Sequence, residues 1–182
     1  MADHMHEISA DLAAWWLAQP LFFVATAPLS AEGHVNLSPK GLDTLRILGP
    51  RRVAYLDLTG SGAETIAHIR ENQRVTLMAC AFTGPPRIAR LHGSGADHPV
   101  GSPGIAGLRD QFPDLVGVRS VIDIAVDRVS TSCGYAVPAM ELVGERDRLM
   151  QWANAKGEAG IEQYWGSHNR TSIDGLPALE RP

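Results

Sequence analysis

The sequence predicts a mainly β (α+β) fold in which about six antiparallel strands, flanked by helices, close wholly or partly into a barrel. Two pairs of predicted strands are joined by short turns, which favours antiparallel pairing. Helical segments are too few to follow every strand, as a doubly wound parallel sheet would require. Closure into a barrel removes the exposed edges that an open antiparallel sheet would have. The 182 residues suffice for one domain, which we expect to span 1–182.

The individual elements follow from apolar periodicity and from the turn residues between apolar runs. A first helix is expected over residues 9–19, because Ser9 or Asp11 can cap it and Gln19-Pro20 ends it. Strands are predicted over residues 21–27, 35–39, 52–58, 74–82, 87–95 and 118–135, with LGPRR as a loop before the third. Further helices are predicted over 62–72, within 101–114 and over 141–157, followed by an irregular tail over 158–182.

Composition argues against several classes of partner. The formal net charge of -4 and the pI near 5.9 do not fit nucleic-acid binding, which needs clustered excess cations. The N-terminal MADHMHEISADL lacks the basic patch and the long apolar run of a signal peptide, and its apolar stretch over 12–17 is too short to span a bilayer. Cys80 and Cys133 form no CxxC pair, so a reducing compartment is expected. We therefore expect a cytoplasmic protein that binds neither nucleic acid nor membrane.

The segment DLTGSGAET, residues 57–65, lies between a predicted strand and a predicted helix. It lacks the lysine of the phosphate loop GxxxxGK[ST] and the last glycine of the dinucleotide-binding pattern GxGxxG. It matches a capping box, with Ser61 as N-cap and Glu64 as its acidic partner. Alternatively, Thr59, Ser61 and the first N–H groups of the helix bind a phosphate, although the Glu64 carboxylate would repel a dianion. A phosphate site would then need a cation from elsewhere in the chain.

Lys40 is the first candidate for that cation. It follows the second predicted strand in NLSPKG, where Asn36 and Ser38 lie on one face. Two polar side chains on one face followed by a cation favour an anionic ligand, but a lysine after proline is also common in solvated loops. Arg90 is a second candidate and lies on the predicted fifth strand, where it faces away from Arg87.

Other side chains that could bind a metal or a ligand give weaker patterns. The histidines show no HxxxH or HxH spacing within one element, so no metal site is expected. Trp165 lies in the predicted irregular tail, where it could stack on a planar ligand or pack against a partner subunit. No residue is assigned a catalytic role.

Several segments taken together resemble the pyridoxamine 5'-phosphate oxidase-like flavoproteins, in particular the small bacterial proteins of that family. They are FFVATAPLSAEGHVNLSPKG, RVAYLDLTGSGAETIAHIRENQRVTLMACAF, GPPRIARLHGSG, SCGYAVP and SIDGLPAL, and they cover most of the chain. The resemblance implies a split β-barrel that forms a homodimer, with FMN held in two equivalent clefts between the subunits. It also implies a small-molecule substrate.

The resemblance assigns cofactor contacts to three parts of the chain. Asn36, Ser38 and Lys40 match the first cofactor strand. The second cofactor strand and the phosphate turn after it are matched by Leu56, Asp57, Thr59, Ser61 and Thr65. Trp165 and Asn169 fall in the C-terminal region that such proteins bring to the partner's cofactor, and Arg90 is a possible basic contact to the phosphate.

Two departures from the family pattern bear on function. True pyridoxamine phosphate oxidases carry an Arg-Lys pair in the phosphate turn, where this chain has Glu64 and Thr65, and their C-terminal Arg-x-His is absent. We therefore expect an FMN-dependent oxidoreductase of another small molecule rather than a vitamin B6 oxidase. An F420-dependent reductase, a protein that binds flavin or haem without turnover and a cofactor-free structural dimer are alternatives.

Overall fold

The computed structural model describes residues 3–179, which form a sheet of antiparallel strands with three flanking helices. The strands are β1 (Asp3–Met5), β2 (Phe22–Thr26), β3 (Asn36–Lys40), β4 (Leu45–Gly49), β5 (Arg52–Leu58), β6 (Arg74–Cys80), β7 (Ile88–Pro99) and β8 (Val118–Ser132). The helices are α1 (Ala10–Leu17), α2 (Glu64–Asn72) and α3 (Arg148–His168). Two 3-10 turns, Pro103–Ile105 and Arg109–Gln111, connect β7 to β8.

Seven strands form one hydrogen-bonded path in the order β3-β2-β6-β7-β8-β5-β4, and β1 pairs with β8 beside it. Every pairing is antiparallel. Over residues 3–179 no strand pairing joins β3 to β4, so the path does not close. The two ends nevertheless approach each other: Lys40 of β3 lies 3.2 Å from Asp57 of β5, the strand beside β4. The mainly β fold with antiparallel pairing is confirmed, and we call the gap between the two ends the seam.

The core lies between the inner face of the sheet and the helices α1 and α2. Leu12 and Trp16 of α1 and Ile66 and Ile69 of α2 are buried there. The strands contribute Val24, Leu77, Leu91, Ile122 and Ile124, among others. A second cluster around Ala54, Leu56, Phe112 and Val121 covers the opposite face of β5 and β8. β5 is buried on both faces, and its residues 53–56, VAYL, accordingly form a continuous apolar run without alternation.

The structure corrects two of the predicted boundaries between strand and loop. LGPRR was predicted to be a loop, but Leu48 and Gly49 end β4, and only Pro50-Arg51 form the turn into β5. The short strand was missed because glycine and proline stand so close to it in the sequence. β7 also runs to Pro99, beyond the predicted end at residue 95, since β8 continues beside it.

The helices also differ from the prediction. The C-terminal region was predicted to be helical over 141–157 and irregular from 158, but α3 spans Arg148–His168. Gly157 interrupts α3 with φ of 64° and ψ of 174°, so the glycine breaks the helix without ending it. The segment 101–114 forms two 3-10 turns instead of a short α-helix. The predicted helix 9–19 is observed as Ala10–Leu17 with Ser9 as its N-cap.

The predicted capping box at α2 is wrong. The helix begins at Glu64 with Ala63 as its N-cap, and no side chain makes a capping bond from that position. Ser61 lies too far before the first helical residue to serve as the N-cap. Glu64 instead folds back, and its Oε2 accepts a hydrogen bond from the backbone N–H of Ala63 at 3.1 Å.

Candidate cofactor cleft at the seam of the sheet

A cleft of about 1260 Å³ opens at the seam. One wall is β3, and the other is the end of β5 with the turn over residues 59–63. Arg119 of β8 and the segment over residues 140–149 complete the lining. Eight of the predicted site residues meet here: Asn36, Ser38, Lys40, Leu56, Asp57, Thr59, Ser61 and Thr65.

The alternation of β3 places its polar side chains toward the cleft. Asn36, Ser38 and Lys40 are partly buried, whereas Leu37 and Pro39 between them are exposed. Among the described residues β3 pairs with β2 alone, so it forms one edge of the sheet and one border of the seam. The period of two that suggested this face in the sequence is therefore present in the structure.

A buried group of three charges lies at the base of the cleft. The Asp57 side chain is only 1% exposed, and its Oδ1 accepts a hydrogen bond from Lys40 Nζ at 3.2 Å. Its Oδ2 accepts from Arg119 Nε at 2.9 Å and lies 2.8 Å from Arg119 Nη2. Arg119 Nη1 also donates to the carbonyl of Gly62 at 2.8 Å. The arginine therefore links the carboxylate at the end of β5 to the turn that follows it.

The two cations keep this carboxylate ionised. Burial by itself would raise the pKa of Asp57, but the charges of Arg119 and Lys40 and their hydrogen bonds lower it below its ordinary value. The Arg119 side chain is 4% exposed and that of Lys40 is 20% exposed. Lys40 is therefore the member of the group that can still reach a molecule in the cleft.

Asn36 is held by a chain of polar side chains behind the cleft wall. Its Nδ2 donates to the hydroxyls of Thr26 at 3.1 Å and Thr65 at 3.0 Å, and its Oδ1 accepts from Ser38 Oγ at 2.9 Å. Thr26 Oγ1 lies 3.0 Å from Nδ1 of the buried His68. Both amide protons of Asn36 are thus committed to the protein. Ser38, having donated its proton, is left with lone pairs that accept hydrogen bonds.

His68 is buried in a way that favours its neutral form. Burial lowers the pKa of His68, and the nearby carboxylates Glu64, Glu71 and Asp174 oppose that shift only in part. Its Nε2 is buried and has no hydrogen-bond partner among the residues that the structure describes. A neutral imidazole can keep the bond to Thr26 that supports Asn36.

The C-terminal part of the chain fastens the turn over residues 59–63. Trp165 Nε1 donates to Thr59 Oγ1 at 2.8 Å, and Thr59 Oγ1 donates to the carbonyl of Gly117 at 2.7 Å. Asn169 Nδ2 donates to the carbonyl of Gly60 at 3.0 Å. Trp165 and Asn169 do not line the cleft within one chain but support its turn from outside.

The predicted basic residue Arg90 lies outside the cleft, whereas Arg119, which was not predicted, lines it. Arg90 of β7 does not line the cleft, and its Nη1 lies 3.5 Å from Ser132 Oγ. Arg119 lines the cleft and pairs with Asp57, but no local pattern distinguishes it in the sequence. Its signature was indirect: a carboxylate that ends an apolar strand such as β5 requires a buried cation.

Residues 3–179 contain neither a cluster of metal ligands nor a helix that could span a membrane. No group of three or more His, Cys, Asp or Glu side chains in this part of the chain could hold a metal ion. The helices of the same residues are too short or too polar to cross a membrane.

Comparison with known proteins places the chain in a family. No protein-family model matches it. A pyridoxamine 5'-phosphate oxidase family protein of Aspergillus flavus, ustO, is 41% identical over 189 aligned residues, covering 94% of this chain and 76% of that protein. The chain belongs to the pyridoxamine 5'-phosphate oxidase family. The resemblance found in the sequence is thereby confirmed.

Solved structures support the fold of this family member. HupZ of Group A Streptococcus superimposes with a TM-score of 0.53 at 21% identity, over 67% of this chain and 91% of HupZ. A single-site variant of HupZ gives a TM-score of 0.55 over 69% of this chain and 99% of that chain. At this identity the likeness shows a shared fold. A FAD-binding protein of Mesorhizobium loti aligns over 72% of this chain and 95% of its own at 14% identity, and its TM-score of 0.48 adds nothing to the assignment.

We expect Asp57→Asn to destabilise this family member strongly, since it leaves Arg119 buried without its counter-charge. Removing one partner of a buried pair costs about 3–5 kcal/mol of the free energy of unfolding, which urea denaturation measures. The lowered pKa of Asp57 sets how the free energy of unfolding depends on pH. The stabilisation by ionised Asp57 is fully present above its ordinary pKa of 3.8 and is lost as the pH falls through the lower pKa of the folded state. The difference between wild type and variant should therefore shrink below that pH.

Asp123→Asn is the matched control. Asp123 also pairs with an arginine through two bonds, from Arg52 Nε at 2.9 Å and Nη2 at 2.8 Å, but Arg52 is 53% exposed. An exposed pair contributes about 0–1 kcal/mol. Equal losses in the two variants would contradict the central role of Asp57.

Proposed function

We propose that the chain binds a flavin, FMN, in the cleft and acts as an FMN-dependent oxidoreductase on a small molecule other than pyridoxamine 5'-phosphate. One observation carries the proposal. Eight residues matched to the cofactor strands of the family meet in one cleft, in a chain that belongs to that family. Vitamin B6 oxidation is left out because Glu64 and Thr65 stand where the phosphate turn of those enzymes carries its basic pair.

The size and lining of the cleft support a bound cofactor together with a second molecule. Pockets that hold drug-sized ligands occupy roughly 300–1000 Å³, and this cleft is larger at about 1260 Å³. The β3 wall offers polar groups. The apolar side chains of Phe82, Met140, Leu142 and Leu149 also line the cleft and suit the faces of a planar ring system.

Lys40 is the group that would hold the phosphate of FMN. Its ammonium group has three protons, of which one is directed to Asp57, so it can donate to a ligand as well. Arg119 is less available, since its guanidinium group is buried and bonded to Asp57 and Gly62. Ser38 would meet the ligand as an acceptor and so suits an N–H group.

A bound flavin would supply two-electron redox chemistry, which the protein itself does not need to perform. The residues of this chain would bind the cofactor, orient it and exclude water. Lys40 and Ser38 would make the polar contacts, and the segment over residues 140–149 would cover the opening of the cleft. No side chain needs to act as acid or base in hydride transfer.

The proposal is tested by the ligand that co-purifies with the protein. We expect FMN by mass spectrometry, and a visible spectrum of oxidised flavin on the protein. Bound F420 or haem, or failure of the purified chain to take up FMN, would contradict the cofactor assignment. Enzymatic activity requires that NADH or NADPH reduce the bound FMN faster than free FMN. If no donor does so and no oxidant gives turnover, the protein binds flavin without catalysis.

We expect Lys40→Met to weaken FMN binding about 10- to 100-fold, the loss of a hydrogen bond to a charged group worth about 1.5–3 kcal/mol. Fluorescence titration measures the Kd. Riboflavin, which lacks the phosphate, should bind wild type and variant alike. Lys156→Met is the control, because Lys156 lies on α3 against the rings of Trp152 and Tyr164, outside the cleft lining. An unchanged Kd for FMN in Lys40→Met would show that the phosphate lies elsewhere.

The proposal includes a homodimer with the cleft at the subunit interface. Leu37 on the edge strand β3 is 63% exposed and Val35 just before it is 74% exposed. Met140, Leu142 and Val143, on the other side of the cleft, are exposed as well. Apolar side chains on an unpaired edge strand are normally covered by another surface. A second copy of the chain would cover these and complete the cleft.

We expect Leu37→Glu to convert a dimer into a monomer and to lower the affinity for FMN, because it places a charge on the covered surface. Sedimentation equilibrium and FMN titration measure the two effects. Val100→Glu is the control: Val100 is 48% exposed, in the turn after β7, and away from the cleft lining. A monomeric wild type, or a monomeric variant with unchanged FMN affinity, would contradict this part of the proposal.

A further inference from the structure

The carboxylate of Glu64 occupies the N-terminal end of α2, beside the turn that the family resemblance assigns to phosphate. Its Oε2 accepts from the backbone N–H of Ala63 at 3.1 Å, and its Oε1 accepts from the backbone N–H of Ile173 at 3.2 Å. The residue also lines the cleft. A Cβ atom on Gly62 would lie 3.1 Å from Oε1 and 3.2 Å from Oε2, so the carboxylate lies directly over the turn.

This carboxylate lies beside the N-terminus of α2, where it is bonded to the backbone N–H groups of the N-cap residue Ala63 and of Ile173. Backbone N–H groups and the helix dipole attract negative charge there. Because Glu64 is part of the same chain, its carboxylate competes with a dissolved phosphate at a high effective concentration. A ligand phosphate at the turn must displace Glu64 or lie beside a like charge.

The other charges of the cleft do not offset that repulsion. The charged side chains in its lining are Lys40, Arg119, Arg146, Asp57, Glu64, Glu141 and Glu145. Without Glu64 the lining of one chain holds three cations and three anions, so it has no positive excess. Both cations at the base of the cleft, Lys40 and Arg119, already share the carboxylate of Asp57.

We infer that Glu64 is a specificity-determining residue that excludes a dianionic phosphate from the turn over residues 59–63 and leaves Lys40 as the phosphate contact. The inference rests on the proposed flavin site and concerns which ligands that site accepts. It explains how a chain with the cofactor strands of this family can lack the basic pair at the phosphate turn. The position is filled by an internal anion, so the phosphate of a ligand meets Lys40 instead of the turn.

The test compares wild type, Glu64→Gln and Glu71→Gln in titrations with FMN, riboflavin and inorganic phosphate. Glu71 is a matched control: it also lies on α2 and accepts a backbone hydrogen bond, from Leu29 at 2.8 Å, but it does not line the cleft. We expect Glu64→Gln to lower the Kd for FMN and for phosphate about tenfold, as expected for removal of a nearby like charge. The Kd for riboflavin should stay within about twofold, and the gain for FMN should diminish in about 1 M salt, where the Debye length is about 3 Å.

A purely structural role for Glu64 gives a different result. Loss of its bonds to Ala63 and Ile173 would change the thermal stability and shift FMN and riboflavin binding equally. An unchanged ratio of the two Kd values, together with an unchanged Kd for phosphate, would overturn the inference. If no flavin binds to any of the three proteins, the proposed function fails, and the phosphate titration alone still decides the role of Glu64. If Glu64→Gln does not fold, Glu64→Ala replaces it with the same expected results.

Discussion

The buried carboxylate of Asp57 links two strands of the sheet, β3 and β5, that share no backbone hydrogen bonds. Asp57 lies next to the last residue of β5, which neighbours the terminal strand β4, while Lys40 comes from β3 at the other end of the strand order. Arg119 reaches the same carboxylate from β8 and also holds the carbonyl of Gly62. A carboxylate buried this deeply is unfavourable unless cations surround it. The edge strand, the core strand and the turn are therefore constrained by one group, and the cleft is the space that remains between them.

Most strands and helices could be predicted from the sequence, because the apolar periodicity that identifies them depends on neighbouring residues alone. β5 was predicted over 52–58 and is observed as Arg52–Leu58, because a buried apolar run bounded by turns leaves few alternatives. β4 was missed since it is short and adjoins a turn. α3 was cut short because Gly157 looks like an end in the sequence and is only an interruption in the structure. The Asp57 carboxylate in β5 signals that a buried cation is needed, but it does not single out Arg119, which lies on another strand 62 residues along the chain.

Eight of the eleven predicted site residues line the cleft, but residue type does not show which of them can contact a ligand and which support the wall. Asn36 donates both amide protons to the hydroxyls of Thr26 and Thr65, so it positions the β3 wall of the cleft and has no donor left for a ligand. Trp165 and Asn169 bond to the turn of their own chain. Hydrogen-bonding capacity can be read from a sequence, whereas the partner that uses it depends on tertiary packing. The network that runs from Ser38 to His68 consequently appears only in the structure.

The open seam also bears on how such a protein can change its ligand. Since β3 and β4 share no backbone hydrogen bonds, the distance between these edges can alter while every inter-strand ladder stays intact. The ion pair that crosses the gap involves Lys40, the partly exposed member of the group. Substitutions along β3 and the turn over residues 59–63 can therefore reshape the cavity, provided that they keep the ion pairs of Asp57 with Lys40 and Arg119. Lys40 belongs to both sets of residues, because it pairs with the buried Asp57 and also lines the cleft, so a substitution there acts on folding and on ligand selection together.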